Sequence, residues 1–341
     1  MRNYEKKSNL RKVFKRAVGT MVGVAVLSTS TVALASNFTT AALSNPNLVG
    51  EVNLSKGKVA KYGATGALEF YHNNWIVIKQ NKSGGCGTII KDQYGEKTYS
   101  KGVLGHANDM TVFNDTLLVA TAGDKNAKSD APIKGIEITC SKENGHEKFE
   151  YGNAIAYYLD EKIKKIGDEI GGIAYIGKEN VENKGKQNIF VLKNNRKKKI
   201  IRAYLDTNAK KFCYISDCSI TNPRPCMKNN ASKEDTNASV IGQGISYDAT
   251  SKTLYMGYGV TPSNDSNDEC DNRMLIGKLS YSTVKNKSTA KVTSYINKAK
   301  AKYTKFEVEC IAFDNNGTMY FDTNGVQDGE QLDKIVAVYE D

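Results

Sequence analysis

A short pattern recurs five times along this chain of 341 residues. Each copy has an apolar residue, a small or polar one, an aromatic residue or Val, a polar turn of varying length, and a second apolar run. The first two copies are Leu68-Glu69-Phe70 leading to Trp75-Ile76-Val77-Ile78, and Met110-Thr111-Val112 leading to Leu117-Leu118-Val119. The remaining three are Ile173-Ala174-Tyr175 leading to Ile189-Phe190-Val191, Ile245-Ser246-Tyr247 leading to Leu254-Tyr255-Met256, and Ile311-Ala312-Phe313 leading to Met319-Tyr320-Phe321. Two alternating segments joined by a turn rich in Asn, Asp or Gly read as a pair of antiparallel strands. Fivefold repetition of such a pair restricts the chain to a repeating all-β architecture.

The anchor positions 68, 110, 173, 245 and 311 stand 42, 63, 72 and 66 residues apart. Once residues 1–35 are set aside, the two chain ends together supply one further interval of 63. That arithmetic suits an all-β β-propeller of about five four-stranded blades, its ring closed by an N-terminal strand at Leu48 to Leu54 beside Ile335 to Tyr339. Six blades or an irregular all-β fold are the alternatives. Glu161 to Ile170 reads as a short helix or as the outer strand of a blade. Three polar stretches, Asp124 to Ile133, Asn222 to Thr236 and Thr261 to Arg273, fall between strands, where a rigid ring carries its variable loops.

Charge is misleading until the first 35 residues are read separately. They run from a basic stretch (Arg2, Lys6, Lys7, Arg11, Lys12, Lys15, Arg16) through an apolar one to Ala33-Leu34-Ala35, the order of a secretory signal cleaved before Ser36. Residues 36–341 then form a single domain. Seven Lys/Arg and one Glu lie in the leader, so more than half of the net charge of +11 belongs to it. What remains is mildly basic and argues for no nucleic-acid partner. No second apolar span of about 20 residues follows, so no transmembrane segment is expected once the leader is removed. Composition excludes a collagen, a coiled coil and a disulfide knottin. The sequence holds no Gly-rich nucleotide loop between strand and helix, no zinc-protease helix and no Ser-His-Asp signature.

In a propeller the innermost strand of each blade lines a central channel, so the residues just before each anchor converge. They are Gly66-Ala67, Asn108-Asp109, Gly171-Gly172, Gln243-Gly244 and Glu309-Cys310, with His106 and Glu307 two positions further out. His106, Asn108, Asp109, Gln243, Glu307 and Glu309 are therefore the candidate ligand-binding residues. Asp109, Glu309 and His106 are the candidates for catalysis. Either these groups form a polar pocket or they hydrogen-bond backbone at the crowded centre. Their oxygens would suit calcium or magnesium held by Asp109, Glu309 and Asn108, although no cofactor is required.

Three of these stretches, in order, resemble the helveticin J-like family of bacteriocin-related proteins: His106-Ala107, then Gln243-Gly244 with Tyr247-Asp248 and Leu254-Tyr255, then Glu307-Val308-Glu309-Cys310-Ile311. A short final strand like Ile335 to Tyr339 completes the similarity, which covers about 55 to 60 residues near the anchors. The resemblance implies a secreted protein acting at bacterial surfaces, with antibacterial activity. Asn108-Asp109 after His106-Ala107 departs from the family pattern.

Seven cysteines (86, 140, 213, 218, 226, 270 and 310) lie beyond the leader, where export permits disulfides. Cys310, inside a predicted inner strand, is expected buried and unpaired, and the other six allow 15 pairings. The cluster Cys213, Cys218, Cys226 and Cys270 has no zinc-finger spacing, so stapling of the loops is the expectation. Cys86, in Ser83-Gly84-Gly85-Cys86-Gly87, could act as a nucleophile with His106 as base, or could simply occupy a Gly-rich turn. The acidic loop Asn264 to Asp271 lacks the Gly and Glu of an EF-hand, having Cys270 and Ile276 at those positions. Two basic patches, Arg196 to Lys199 and Lys298, Lys300, Lys302 and Lys305, could touch anionic wall polymer or be solvated surface. The chain is thus expected to be a secreted, extracellular protein that binds a bacterial cell-surface glycan or anionic wall polymer. An extracellular propeller hydrolase or lyase and a non-catalytic interaction scaffold are the alternatives.

Overall fold

The computed structural model describes residues 38–39, 48–53, 62–72, 74–81, 87–91, 95–100, 102–121, 131–143, 146–227, 230–234, 236, 238–261, 273–286, 288–299, 305–327, 330–331 and 333–338. The expected leader, Cys86, Cys270 and the acidic loop lie outside them. Strands dominate. β1 is Leu48–Asn53, β2 Tyr62–Tyr71, β3 Asn74–Asn81, β4 Gly87–Lys91 and β5 Gly95–Thr98. β6 is Asp109–Phe113, β7 Thr116–Ala120, β8 Ile133–Glu143 and β9 His146–Leu159. β10 is Ile170–Val181, β11 Gly185–Asn194, β12 Lys199–Asp206 and β13 Lys211–Thr221. β14 is Ser239–Asp248, β15 Thr253–Thr261, β16 Arg273–Ser280 and β17 Thr293–Ala299, followed by β18 Lys305–Phe313, β19 Met319–Gln327 and β20 Lys334–Val338.

These pair antiparallel, each strand with the next, in the sets β2–β5, β6–β9, β10–β13 and β14–β17. In the remaining set β18, β19 and β20 continue into β1, with Leu48 opposite Val338 and Asn53 opposite Lys334. Every first strand lies beside the first strand of the next set, and β18 lies beside β2. The arrangement is all-β and propeller-like. Glu161–Ile166 is a helix, α1, because Asp160 accepts the Ile163 N–H at 2.9 Å as an N-cap. A second short helix, α2, spans Tyr281–Asn286. Among the described residues, no helix is long and apolar enough to cross a membrane.

The apolar alternation of each repeat has a direct consequence for packing. One face of each set meets the neighbouring set, and among the described residues the buried apolar side chains fall into five clusters at these contacts. Ile76, Leu117 and Ile136 belong to the core between the first and second sets, and Phe113, Ile173 and Phe190 to the next. Val191, Leu254 and Met256 share the third, and Tyr255, Met274 and Phe321 the fourth. The fifth joins the last set to the first through Leu68, Val77, Cys310, Ala312 and Ile335. Full burial of each such aliphatic side chain contributes roughly 1.5–3 kcal/mol. That fifth core is the smallest among the described residues. Beside it a buried ion pair joins the same two sets, Lys79 Nζ lying 3.2 Å from Asp333 Oδ2.

Candidate functional site

Four of the five first strands share a local irregularity that decides what stands at the centre. Register shifts occur between Thr65 and Ala67, Ile170 and Gly172, Gly242 and Ile245, and Val308 and Ile311. Each shift falls on the small or polar pair just before a repeat anchor. A bulge turns side chains out of the pleat and lets neighbouring backbones approach. The convergence expected from the spacing is therefore real at Asp109, whose carboxylate fills space left by Gly172, Gly244 and Cys310.

Asp109 is fully buried. Its Oδ2 accepts the N–H groups of Ile173 (2.8 Å) and Ile245 (2.9 Å), and its Oδ1 accepts the Cys310 thiol at 2.8 Å. Cys310 Sγ also lies 3.4 Å from the Leu68 carbonyl oxygen, so the Asp109–Cys310 pair touches the first strand of all five sets. Burial pushes the Asp109 carboxyl up to about 7, against the opposing pull of these donors. Burial and the nearby Asp109 and Asp322 charges raise the Cys310 thiol well above its usual range. With hydrogen donors facing both oxygens, the carboxylate has the surroundings of a backbone cross-brace. A cation held between Asp109, Glu309 and Asn108 would need those lone pairs turned toward it instead.

The other sequence candidates surround this brace. His106 is exposed, its Nδ1 3.1 Å from Gln80 Nε2. The carbonyls of His106 and Ala107 crowd Gly66, and half-buried Asn108 sits beside Gly171. The Gln243 carbonyl accepts from Lys193 Nζ at 2.6 Å. Lys193 is itself buried, and burial lowers its ammonium to about 7 although Asp109 draws it upward. Glu307 accepts from Asn324 Nδ2 at 3.2 Å, and Glu309, half-buried, presents its backbone carbonyl to Gly244.

On the anchor side of the brace lies a cavity of about 80 Å³. Glu69, Thr111, Tyr175, Ser246, Tyr247 and Phe313 line it, so all five first strands contribute. The cavity is partly open to solvent, and five of these six residues are half-buried. Glu69 Oε1 accepts the Phe70 N–H at 2.8 Å. Burial raises its carboxyl to about 8, only partly offset by hydrogen bonds from the Phe70 and Val112 backbone and the Thr111 side chain, and the Asp109 charge adds to the rise. Burial therefore favours the protonated form of Glu69. Reading Leu68-Glu69-Phe70 only as strand alternation misses this residue. The available signal is that the corresponding positions in the other repeats hold Thr111, Ala174, Ser246 and Ala312. One ionisable side chain stands among four that carry none.

The remaining candidates separate clearly. No disulfide joins any two of the described cysteines, 140, 213, 218, 226 and 310. Cys213 and Cys218 lie on the same extended strand, too far apart along it to bond. Asn297 Nδ2 donates to Cys226 Sγ at 3.0 Å. The Arg196 to Lys199 patch is a hairpin tip whose charge is partly neutralised, Arg196 pairing with Glu169 and Lys199 with Asp217. Lys300 and Lys302 lie outside the described residues, and Lys298 and Lys305 are described by backbone alone.

No family model matches the chain, and no curated protein matches it. Solved structures with a similar arrangement include the RS223 β-xylosidase, with TM-score 0.43 and 9% identity over 85% of this chain and 95% of that one. The GH43_1 enzyme from Xanthomonas citri, solved with xylose, gives TM-score 0.43 and 8% identity over 82% of this chain and 88% of that one. A Trypanosoma rangeli sialidase gives TM-score 0.37 and 7% identity over 81% of this chain, which spans 53% of the sialidase chain.

Proposed function

We propose that the chain is a secreted five-bladed β-propeller, closed by β1 against β20, that binds a bacterial cell-surface glycan at the Glu69 cavity. The observation that carries this reading is the lining itself. Tyr175, Tyr247 and Phe313 offer ring surface for the C–H face of a sugar, while Glu69, Thr111 and Ser246 offer hydroxyl-sized hydrogen-bond partners. At about 80 Å³ the cavity is far below the roughly 300–1,000 Å³ of sites that enclose a drug-sized ligand. It suits one substituent of a terminal sugar, with the ring seated outside. Kinship with the helveticin J-like family, resting on the ordered stretches around 106, 243 and 307, supplies the bacterial surface and the antibacterial role.

The un-ionised Glu69 favours a second reading, that of an extracellular glycoside hydrolase. A neutral carboxylic acid in a solvent-reached cavity can protonate a leaving oxygen. Such chemistry normally needs a second carboxyl about 5–9.5 Å away. Glu69 is the one carboxyl among the described lining residues, and Asp109 behind it is engaged with backbone, so binding is the preferred function.

The test uses the mature protein with Glu69→Gln and Ser246→Leu variants, the latter filling the cavity. Binding to purified wall glycans is measured by calorimetry, beside turnover of aryl glycosides and growth inhibition. Losing one hydrogen bond should weaken binding by up to roughly tenfold in Glu69→Gln, with a larger loss in Ser246→Leu. Binding untouched by both changes would overturn the cavity assignment. Turnover lost in Glu69→Gln would install the hydrolase instead.

A further inference from the structure

Outside the residues that line the cavity, two hairpins bring three metal-ligating side chains together. His72 occupies the turn between β2 and β3, in the first set. Cys140 on β8 and Glu147 on β9 belong to the second set. In the β8–β9 ladder Cys140 pairs with Phe149 and Lys142 with Glu147. Cys140 and Glu147 are thus diagonal neighbours on one face of the sheet. The ligand atoms of His72, Cys140 and Glu147 all lie within 4.8 Å of one another.

We propose that these three residues bind zinc and tie the first strand set to the second. Zinc bonds of about 2.0–2.3 Å in a tetrahedron place neighbouring ligand atoms roughly 3.3–3.8 Å apart. His72 Nδ1 and Glu147 Oε1 already stand at 3.6 Å. The imidazole is held in place by stacking on Tyr71, with centroids 4.1 Å apart and planes 16° off parallel, and by the edge of Phe149. Asn74 Nδ2 donates to the His72 carbonyl at 2.8 Å and to Glu147 Oε2 at 2.7 Å. It thereby orients the carboxylate so that its other oxygen faces the histidine, as outer partners of a metal site do. The backbone of His72 is in the left-handed region, φ 49°. That uncommon geometry turns its ring across to the neighbouring set rather than along its own strand.

The donor set selects the ion. One nitrogen, one sulfur and one carboxylate oxygen match the borderline softness of zinc, whereas calcium and magnesium take oxygen alone. The Cys140 thiol loses its proton to solvent as the metal binds, and thiolate plus carboxylate balance the two positive charges around a neutral imidazole. Because His72 is 48% exposed, the fourth position opens to water. The site supplies the cross-link between hairpins that the cysteine count first suggests for disulfides.

The experiment titrates zinc alone into metal-depleted mature protein, by competition with a chromophoric chelator, with melting followed in parallel. One equivalent should bind and raise the melting temperature. His72→Ala, Cys140→Ser and Glu147→Gln should each weaken binding by roughly tenfold or more. Cobalt in place of zinc should show a thiolate charge-transfer band that disappears in Cys140→Ser and persists, at higher cobalt, in Glu147→Gln. His72→Ala alters a half-exposed turn and keeps the test decisive if Cys140→Ser fails to fold. No saturable zinc uptake, uptake unchanged in all three variants, or Cys140 found in a disulfide on mass mapping would each overturn the proposal.

Discussion

A single carboxylate, that of Asp109, holds first strands from across the molecule, and its strength comes from where its partners sit. The Ile245 N–H borders a register shift and the Ile173 N–H lies just past one, and Asp109 Oδ2 accepts both. Asp109→Ala should leave two buried donors unpaired, at about 1–3 kcal/mol each. Asp109→Asn should cost less, because its carbonyl oxygen can replace Oδ2 while its amide meets the Cys310 sulfur. Urea denaturation should therefore rank wild type above Asn and Asn above Ala. If Asp109→Asn instead kept full stability and abolished glycan binding, Asp109 would be a ligand residue.

The first strands that carry a register shift pack closely at the centre because glycine stands at or beside most of the shifts. A Cβ built on Gly244 would stand 2.9 Å from Asp109 Oδ1 and 3.1 Å from the Glu309 carbonyl oxygen. On Gly172 it would stand 2.8 Å from Ile245 Cγ2. Gly244→Ala should cost about 1–3 kcal/mol through overpacking. Gly152→Ala is the contrasting case, with its nearest neighbour at 3.4 Å, and should fall within about 0.5 kcal/mol of wild type. Equal melting temperatures for the two variants would contradict this account of the bulges. The strand pairs themselves were legible from period-two alternation, which needs only near neighbours in sequence. Glu69 was not, because its importance depends on which residues of four other strands surround it. The His72, Cys140 and Glu147 cluster was hidden for the same reason, with ligands divided between two hairpins and no fixed spacing.

Across the whole molecule, buried ionisable groups link stability to pH. Burial raises the carboxyls of Asp109 to about 7 and of Glu69 and Asp322 to about 8. Their unfolded values lie near 4, so between about pH 4 and 8 the folded state holds more protons than the unfolded one. The linked stabilisation is complete below about pH 4 and is lost as pH rises through 7 to 8. Lys193, lowered to about 7, works in the opposite sense, and only above that value. The melting temperature, followed by calorimetry, should fall from pH 5 to pH 8. Asp322→Asn, which mimics the protonated acid and can still accept the Cys310 N–H, should flatten that fall. A melting temperature that rises over the same interval would refute the assignment.

The sequence alone pointed to the all-β character, to the five strand pairs, and to Leu48 to Leu54 lying beside Ile335 to Tyr339, where the structure pairs residues 48–53 with 334–338. These follow from side-chain alternation and from intervals along the chain, both local properties that survive without coordinates. Tertiary structure alone decided that Asp109 braces backbone, that burial favours the protonated form of Glu69 in the cavity, and that Lys79 and Asp333 join the first set to the last. Burial, proximity and the direction of hydrogen donors govern those roles, and each depends on residues tens to hundreds of positions apart.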